Sequence, residues 1–561
     1  MNAPALQTVP SPDTAPESVA GGTPFSRQKV TLTKEEHIQL KWEASYWKKQ
    51  HERAQQRIAE LEKALEAERA KNRDLTQRLY GKSSEKNAGT ERTDTGGTEK
   101  NKRKRGAQPG AKGHGRTPRP DLPVQEEERD LPEADKCCPQ CGEAFAPFPG
   151  SEDSDIIEIE VQAHIRRVKR KRYQKTCRCP QTPGIITAPP APRLIPKSAV
   201  GVSVWTEVLT AKYLHAMPLN RIVAGFEQHG LPLAAGTLTD GMQRLAPLFE
   251  PLMEAFYEQQ MTEKLFHSDE TRWEVFEELE GKTGHRWFLW AIRSASVVIF
   301  RVSPTRSADT PKIHFAGTAL EIVLVCDRYS AYKCLEGDRE NILLAFCWAH
   351  VRRDFLDAAR SYPELEARMF VWVEDIRELY RLNAARVQVW DAARPLTEQA
   401  AEFTAPHRAL TGRLESMQSR CETDLNAEDL HSAERKVLQS LQNHWEGLTR
   451  FVSRPEIPMD NNAAERTIRG PVTGRKNYYG SGSIWSAGLA AMLFSLFQTL
   501  LLWKLNPHHW LHAFLQACAE NGGNTPSDLS PFLPWTMSDE RREILSRPLP
   551  TDAEPTVPDT S

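Results

Sequence analysis

The sequence predicts a multidomain α/β protein, in which a mixed β-sheet with helices on its faces carries an N-terminal coiled coil and a small cysteine module. Three observations point there. The chain has 561 residues, more than a single hydrophobic core serves. Its apolar period changes from helical to strand-like near Leu265. Five of its ten cysteines gather between Cys137 and Cys179, which suggests metal in a reducing compartment rather than a disulfide framework. With 39% hydrophobic and 26% charged residues the composition is that of a globular chain, and a net charge of −2 conceals uneven placement. No charged n-region with an apolar core opens the sequence, which argues against a secretory signal.

Residues 1–33, rich in Pro, Ser, Thr and Ala, read as a disordered N-terminus. Thr33 and Glu36 form a T-x-x-E capping box that opens a helix over 34–82. Leu40, Ala44, Trp47, Ala54, Ile58, Leu61, Leu65, Leu75 and Leu79 follow one 3-4 seam, broken at His51, Glu68 and Asn72. The seam predicts a coiled coil, with an amphipathic helix packed on the protein's own body as the alternative. Residues 83–130 form a polar linker containing Lys102, Arg103, Lys104 and Arg105. A flexible basic run attracts phosphate backbones because each neutralised phosphate releases counterions; a solvated tail without a partner is the alternative.

Over 131–190, Cys138 and Cys141 form a C-x-x-C pair, and Cys177 and Cys179 a tighter C-x-C pair. Two pairs flanking a short β-segment have the layout of a tetrahedral structural Zn2+ site. The tight second pair leaves Cys137 or His164 as substitute ligands, and free buried thiols as the competing reading. Arg166, Arg167, Lys169, Arg170, Lys171 and Arg172 give this module a cationic face suited to DNA. Residues 191–260 read as helices. Leu219 to Leu238 has helix-turn-helix spacing around Gly230, with a second helix at Leu233 to Leu238. That helix is poor in Arg and Lys, so a structural helix pair fits at least as well.

Residues 261–359 carry three consecutive strands in "KLFHSDETRWEVF", "HRWFLWAIR" and "SVVIFRVSP", then buried strands in "EIVLVCD" and "NILLAFC". Asp269 lies on the first strand and Asp327 ends the fourth. If those strands are neighbours the two carboxylates meet, and a divalent cation is the natural occupant. Two such cations about 4 Å apart clamp the attacking and leaving oxygens of a phosphodiester. Glu465 in "MDNNAAERTIR" is the candidate third ligand. Each residue also has a plain reading. Asp269 fits a turn, Asp327 a helix cap, and Asn462 with Glu465 a capping box of N-cap and N3 residues. Farther on, the apolar run from Leu489 to Trp503 contains Ser495, Gln498 and Thr499. It falls short of the roughly 20 residues a bilayer requires, so a buried helix within a 481–525 segment is predicted, followed by a flexible tail at 526–561.

Taken together, "RLYGKSSEK", "GAQPGAKGHGR", the cysteine module, "PLNRI", "HSDETRW", "SPTRS", "CDRYSAYK", "CWAHVRRDF" and "MDNNAAERTIR…GRKN" occur in one order over nearly the whole chain. In them the sequence resembles the large (TnpC-type) transposase of the bacterial insertion sequence 66 family. The resemblance implies a ribonuclease-H-like DDE domain with Asp269, Asp327 and Glu465 as ligands of two Mg2+ or Mn2+ ions. It also implies a helical insertion over 360–452, followed at 453–480 by the glutamate-bearing helix and a GRKN loop. Arg466 and Arg469, and with them Arg475 and Lys476, would face DNA phosphates. His350 and Arg353 would either orient the scissile phosphate or serve as structural groups. The implied partners are transposon-end and target DNA, a second protomer held through the coiled coil, and helper proteins of the same element, with no membrane. The implied location is the bacterial cytoplasm, at the nucleoid. A non-catalytic DNA-binding regulator and a two-metal nuclease without strand transfer are the competing functions.

Overall fold

The computed structural model describes residues 31–80, 161–174 and 185–548, with isolated positions at 136, 140, 144, 176, 181 and 183. Cys137, Cys138, Cys141, Cys177, Cys179 and the basic run Lys102, Arg103, Lys104 and Arg105 lie outside the described residues. The smaller of the two units into which the chain divides contains α1 (Lys34–Tyr80). Its N-terminus is the capping box: the Glu36 N–H donates to Thr33 Oγ1 (3.2 Å) and the Thr33 N–H to Glu36 Oε2 (2.8 Å). Leu40, Trp47, Ile58, Leu61 and Leu65 are exposed along it.

In the larger unit a short antiparallel ribbon, β1 (Arg172–Gln174) and β2 (Ile185–Thr187), precedes four helices. These are α2 (Val202–Leu209), α3 (Leu219–Gln228), α4 (Ala235–Leu245) and α5 (Glu250–Gln260). The side chains of Arg166, Arg167, Lys169, Arg170 and Lys171 are exposed on the segment without regular structure that leads into β1, as are His164 there and Arg172 at the first position of β1. The turn between α3 and α4 uses Gly230 at φ 74°, a conformation side chains resist. The second helix begins at Ala235, not Leu233, and buries Leu238, Gly241, Met242 and Leu245 against the core. A Cβ on Gly241 would stand 1.8 Å from the Trp205 indole, so that face is committed to packing.

The sheet follows: β3 (Leu265–Val275), β4 (Arg286–Arg293), β5 (Val298–Ser303), β6 (Ile322–Cys326) and β7 (Ile342–Phe346), in the order β5-β4-β3-β6-β7. The first three strands are antiparallel, while β3–β6 and β6–β7 are parallel. Parallel strands need crossovers, supplied by α6 (Asp309–Phe315) and α7 (Ser330–Asp338). All five residues of β6 are buried, which is why the segment reads as an unbroken apolar run. Five helices come next: α8 (Trp348–Ser361), α9 (Glu366–Gln388), α10 (Ala401–Leu425), α11 (Ser432–Asn443) and α12 (Trp445–Ser453). They lead to α13 (Asn462–Tyr478) and to β8 (Gly480–Ser481), which pairs with the end of β3.

Beyond β8, α14 (Ile484–Leu502) is the one described helix long and apolar enough to cross a membrane, yet it is built into the core. The polar residues in its apolar run have a use there. Ser495 Oγ accepts from the Phe300 N–H (2.7 Å) and Thr499 Oγ1 from the Val298 N–H (3.0 Å). Those donors belong to edge strand β5, so α14 satisfies an edge that would otherwise be open. α15 (Pro507–Glu520) and α16 (Asp539–Ser546) close the fold. The expected flexible tail is therefore corrected for residues 526–548. Phe532, Leu533, Met537 and Leu545 are buried, and the Trp510 indole N–H donates to the Phe532 carbonyl (3.0 Å).

Candidate active site

β3 is the central strand, and its pleat sends His267, Asp269 and Thr271 to one face and Ser268 and Glu270 to the other. It pairs in parallel with β6, His267 opposite Val325. Continuing that register by two residues sets Asp269 level with Asp327, which directly follows β6. The neighbouring-strand condition on which the two carboxylates would meet is thus fulfilled. Asp327 Oδ1 accepts from the Tyr329 N–H (2.9 Å), fixing the turn into α7.

Glu465 arrives on the first turns of α13, and an asparagine sets its position. The buried Asn461 side chain donates to the Ser268 carbonyl (2.6 Å), and its Oδ1 lies 3.1 Å from His267 Nδ1. The helix start is thereby fastened to β3 beside Asp269. The capping box read from the sequence is not formed. The N-cap is Asn461, the Asn462 N–H is taken by Asp460 Oδ1 (3.1 Å), and Glu465 stands one position later than N3. Its Oε1 is buried with no hydrogen-bond partner, so the carboxylate is free of any capping duty.

Electrostatics mark the cluster. The Asp269 carboxyl is pushed up to about 8, first by burial and then by the charges of Glu270, Asp327 and Glu465. Carboxylates gathered in this way favour a proton or a cation between them. Glu270 carries no local signal in the sequence, because strand alternation turns it away from Asp269 and its partners, Tyr332 and Arg306, are remote in the chain. The Tyr332 hydroxyl donates to it (2.7 Å), and Arg306 pairs with it at 2.5 Å while lying 3.9 Å over the Tyr329 ring. Burial raises the Glu270 pKa, followed by the charge of Asp327.

His350, in the first turn of α8, has Nε2 3.8 Å from Glu465 Oε1. Burial lowers its pKa, with Arg353 the next cause, so the imidazole tends to stay neutral. The Cys347 thiol, buried at the end of β7, accepts from the Asn461 N–H (3.2 Å). Burial pushes this thiol up to about 11. Among the described residues, the group with ligand atoms all within 4.8 Å of one another is Cys347, His350 and Glu465, not the three carboxylates.

The cationic residues divide. Arg466, Arg469, Lys476 and Arg353 are exposed. Arg475 is turned inward, with Nη1 donating to Thr271 Oγ1 (2.9 Å) and to the Arg272 carbonyl. The expected GRKN loop is also corrected, since Gly474 to Asn477 continue α13 as helix. Beside the carboxylates a cleft of about 320 Å³ is lined by Glu270, Thr271, Arg272, Phe288, Arg306 and Arg475.

The profile of the Transposase IS66 family matches residues 197–488, a span holding all three carboxylates. The uncharacterized protein y4jD of Sinorhizobium fredii is 26% identical over 434 residues, covering 74% of this chain and 80% of its own. A second uncharacterized protein of that organism, y4hP, is 25% identical over 439 residues, covering 73% and 75%. No solved structure matches.

Proposed function

The chain belongs to the IS66 family of transposases, and on that premise we propose that it cleaves and joins DNA at a DDE centre made of Asp269, Asp327 and Glu465. The observation that supports the reading is the parallel register of β3 with β6, which sets Asp269 level with Asp327, together with the Asn461 bond to the Ser268 carbonyl that fastens the start of the Glu465 helix to β3 beside Asp269. The sheet order, three antiparallel strands followed by two parallel ones, supports a ribonuclease-H-like description of the domain.

The donor set fits Mg2+ or Mn2+. It consists of hard carboxylate oxygens, one of them buried without a hydrogen bond. Asp269, Asp327 and Glu465 would hold two ions, which when bound supply charge stabilisation to the attacking and leaving oxygens of a phosphodiester. The protein's own part is positioning. Asn461 holds the glutamate helix on β3, and the Tyr329 N–H holds Asp327. Arg466 and Arg469, exposed on the outer face of the same helix, would take phosphates flanking the scissile bond. His350 and Arg353 would stand at the edge of the centre, orienting the scissile phosphate. The reaction would be hydrolysis at each transposon end to free a 3′-hydroxyl, followed by in-line attack of that hydroxyl on target DNA.

DNA binding outside the centre is assigned to the basic linker at Lys102 to Arg105 and the cationic segment Arg166 to Arg172. The zinc module and a coiled-coil dimer through α1 complete the proposal, together with helper proteins and action in the bacterial cytoplasm. The test is to incubate labelled DNA carrying candidate element ends with Mg2+ and an unlabelled target, with and without the element's other proteins. Ends joined to target establish the transposase. Nicks without joining favour a nuclease, and binding without nicking favours a regulator.

A further inference from the structure

Beside the three carboxylates sits a set of softer donors. The Cys347 thiol, the His350 ring and the Glu465 carboxylate each offer an atom within 4.8 Å of the other two. The backbone holds them there. The Cys347 N–H donates to the Cys326 carbonyl (3.1 Å), and the Trp348 N–H at the start of α8 donates to the Met459 carbonyl (2.9 Å). The Asn461 N–H then reaches Cys347 Sγ from the segment that carries Glu465. Two polar atoms of the group, Glu465 Oε1 and His350 Nδ1, are buried with no hydrogen-bond partner. A tetrahedral zinc site has metal bonds of about 2.0–2.3 Å, which put its ligand atoms roughly 3–4 Å apart. The 3.8 Å between His350 Nε2 and Glu465 Oε1 already fits that spacing.

We propose that Cys347, His350 and Glu465 form a second metal site, selective for a thiophilic divalent cation such as Zn2+, which shares Glu465 with the DDE centre. On binding, the Cys347 thiol gives its proton to solvent, three bonds form to sulfur, nitrogen and oxygen, and the fourth position stays open. Mg2+ prefers oxygen ligands and does not compete for the thiolate. A Zn2+ ion in this site withdraws Glu465 from the hard ions and so inhibits Mg2+-supported cleavage. The binding stands on geometry alone, whereas the inhibition rests on the proposed function.

The experiment uses the full chain. Bound Zn2+ is counted against a chromophoric chelator for wild type, Cys347→Ala, Cys347→Ser and His350→Ala, each confirmed as folded by thermal unfolding. The proposal expects every folded variant to bind one Zn2+ fewer than wild type, because the cysteines at 137–179 are present in all of them. Equal counts in the folded variants overturn it. A cleavage assay run alongside tests the coupling. Losing a direct ligand should cost at least the roughly 10-fold in affinity that outer-shell losses cost, so half-inhibition by Zn2+ shifts upward by that factor in Cys347→Ser. An unshifted inhibition curve overturns the sharing of Glu465. If no protein cleaves at all, the functional reading fails while the Zn2+ count still decides the site.

Discussion

Asn461→Ala is the most informative single change outside the carboxylates. Asn461 is buried, and its side chain bridges α13 to β3 through the Ser268 carbonyl (2.6 Å) and His267 (3.1 Å). Removing it leaves a buried carbonyl without its donor, at about 1–3 kcal/mol, and loses a second bond worth about 0.5–1.5 kcal/mol. The expected loss is therefore about 1.5–4.5 kcal/mol, concentrated where Glu465 is held. Asn462 is the internal control. It is next in sequence and chemically identical, but only its backbone N–H is engaged, by Asp460, so Asn462→Ala should stay within about 0.5 kcal/mol. Thermal unfolding gives the size of each effect, and hydrogen exchange over residues 459–470 gives its place. Asn461→Ala should speed exchange there and lower cleavage, while Asn462→Ala should do neither. Equal stability and exchange in the two variants would refute the reasoning.

Three further changes test the surrounding frame. Arg306→Ala leaves Glu270, whose side chain is 2% exposed, without its cation; the cost should be about 3 kcal/mol by thermal unfolding, relieved in the double variant with Glu270→Gln. His314 is fully buried with its pKa held well below the usual value by burial and then Arg301. The unfolded chain therefore takes a proton that the folded one refuses, and stability should fall as pH drops below about 6.5. His314→Gln should flatten that slope, and an unchanged slope would remove His314 from the account. Gly447→Ala places a Cβ 2.5 Å from Phe346 and 3.1 Å from the Leu344 carbonyl, forcing α12 off β7. Overpacking of this kind costs about 1–3 kcal/mol, measurable as a lowered Tm.

What could be read in the sequence follows from which interactions are local. The strands β3, β4 and β5 show in their alternation, β6 and β7 in their apolar runs, and α1 in its Thr33–Glu36 box, all within a few residues. The acids Asp269, Asp327 and Glu465 could be named in advance, but the pairing of β3 with β6 that brings two of them level is a long-range property. The choice between Asn461 and Asn462 as N-cap was hidden, since the deciding partner, the Ser268 carbonyl, lies 193 residues away. α13 runs through Pro471, which is buried, although a proline inside a helix removes a backbone hydrogen bond, a case of packing overriding local preference. Glu270 was hidden because the residues that hold it, Arg306 and Tyr332, come from other elements. The C-terminal stretch looked like a tail because its few apolar residues, Phe532, Leu533, Met537 and Leu545, have no period of their own. They are buried only because α15 and its neighbours receive them.

The most direct test of the central claim is metal-dependent cleavage of labelled end DNA by wild type and Glu465→Gln. The substitution keeps size and hydrogen-bonding capacity but removes the charge that would hold a divalent ion. Both proteins should unfold at similar temperatures and bind the DNA alike. Wild type should nick it with Mg2+ or Mn2+ and stop when the metal is chelated, and the variant should not nick under any of these conditions. Equal nicking by the two proteins would contradict the account and return Glu465 to a structural role.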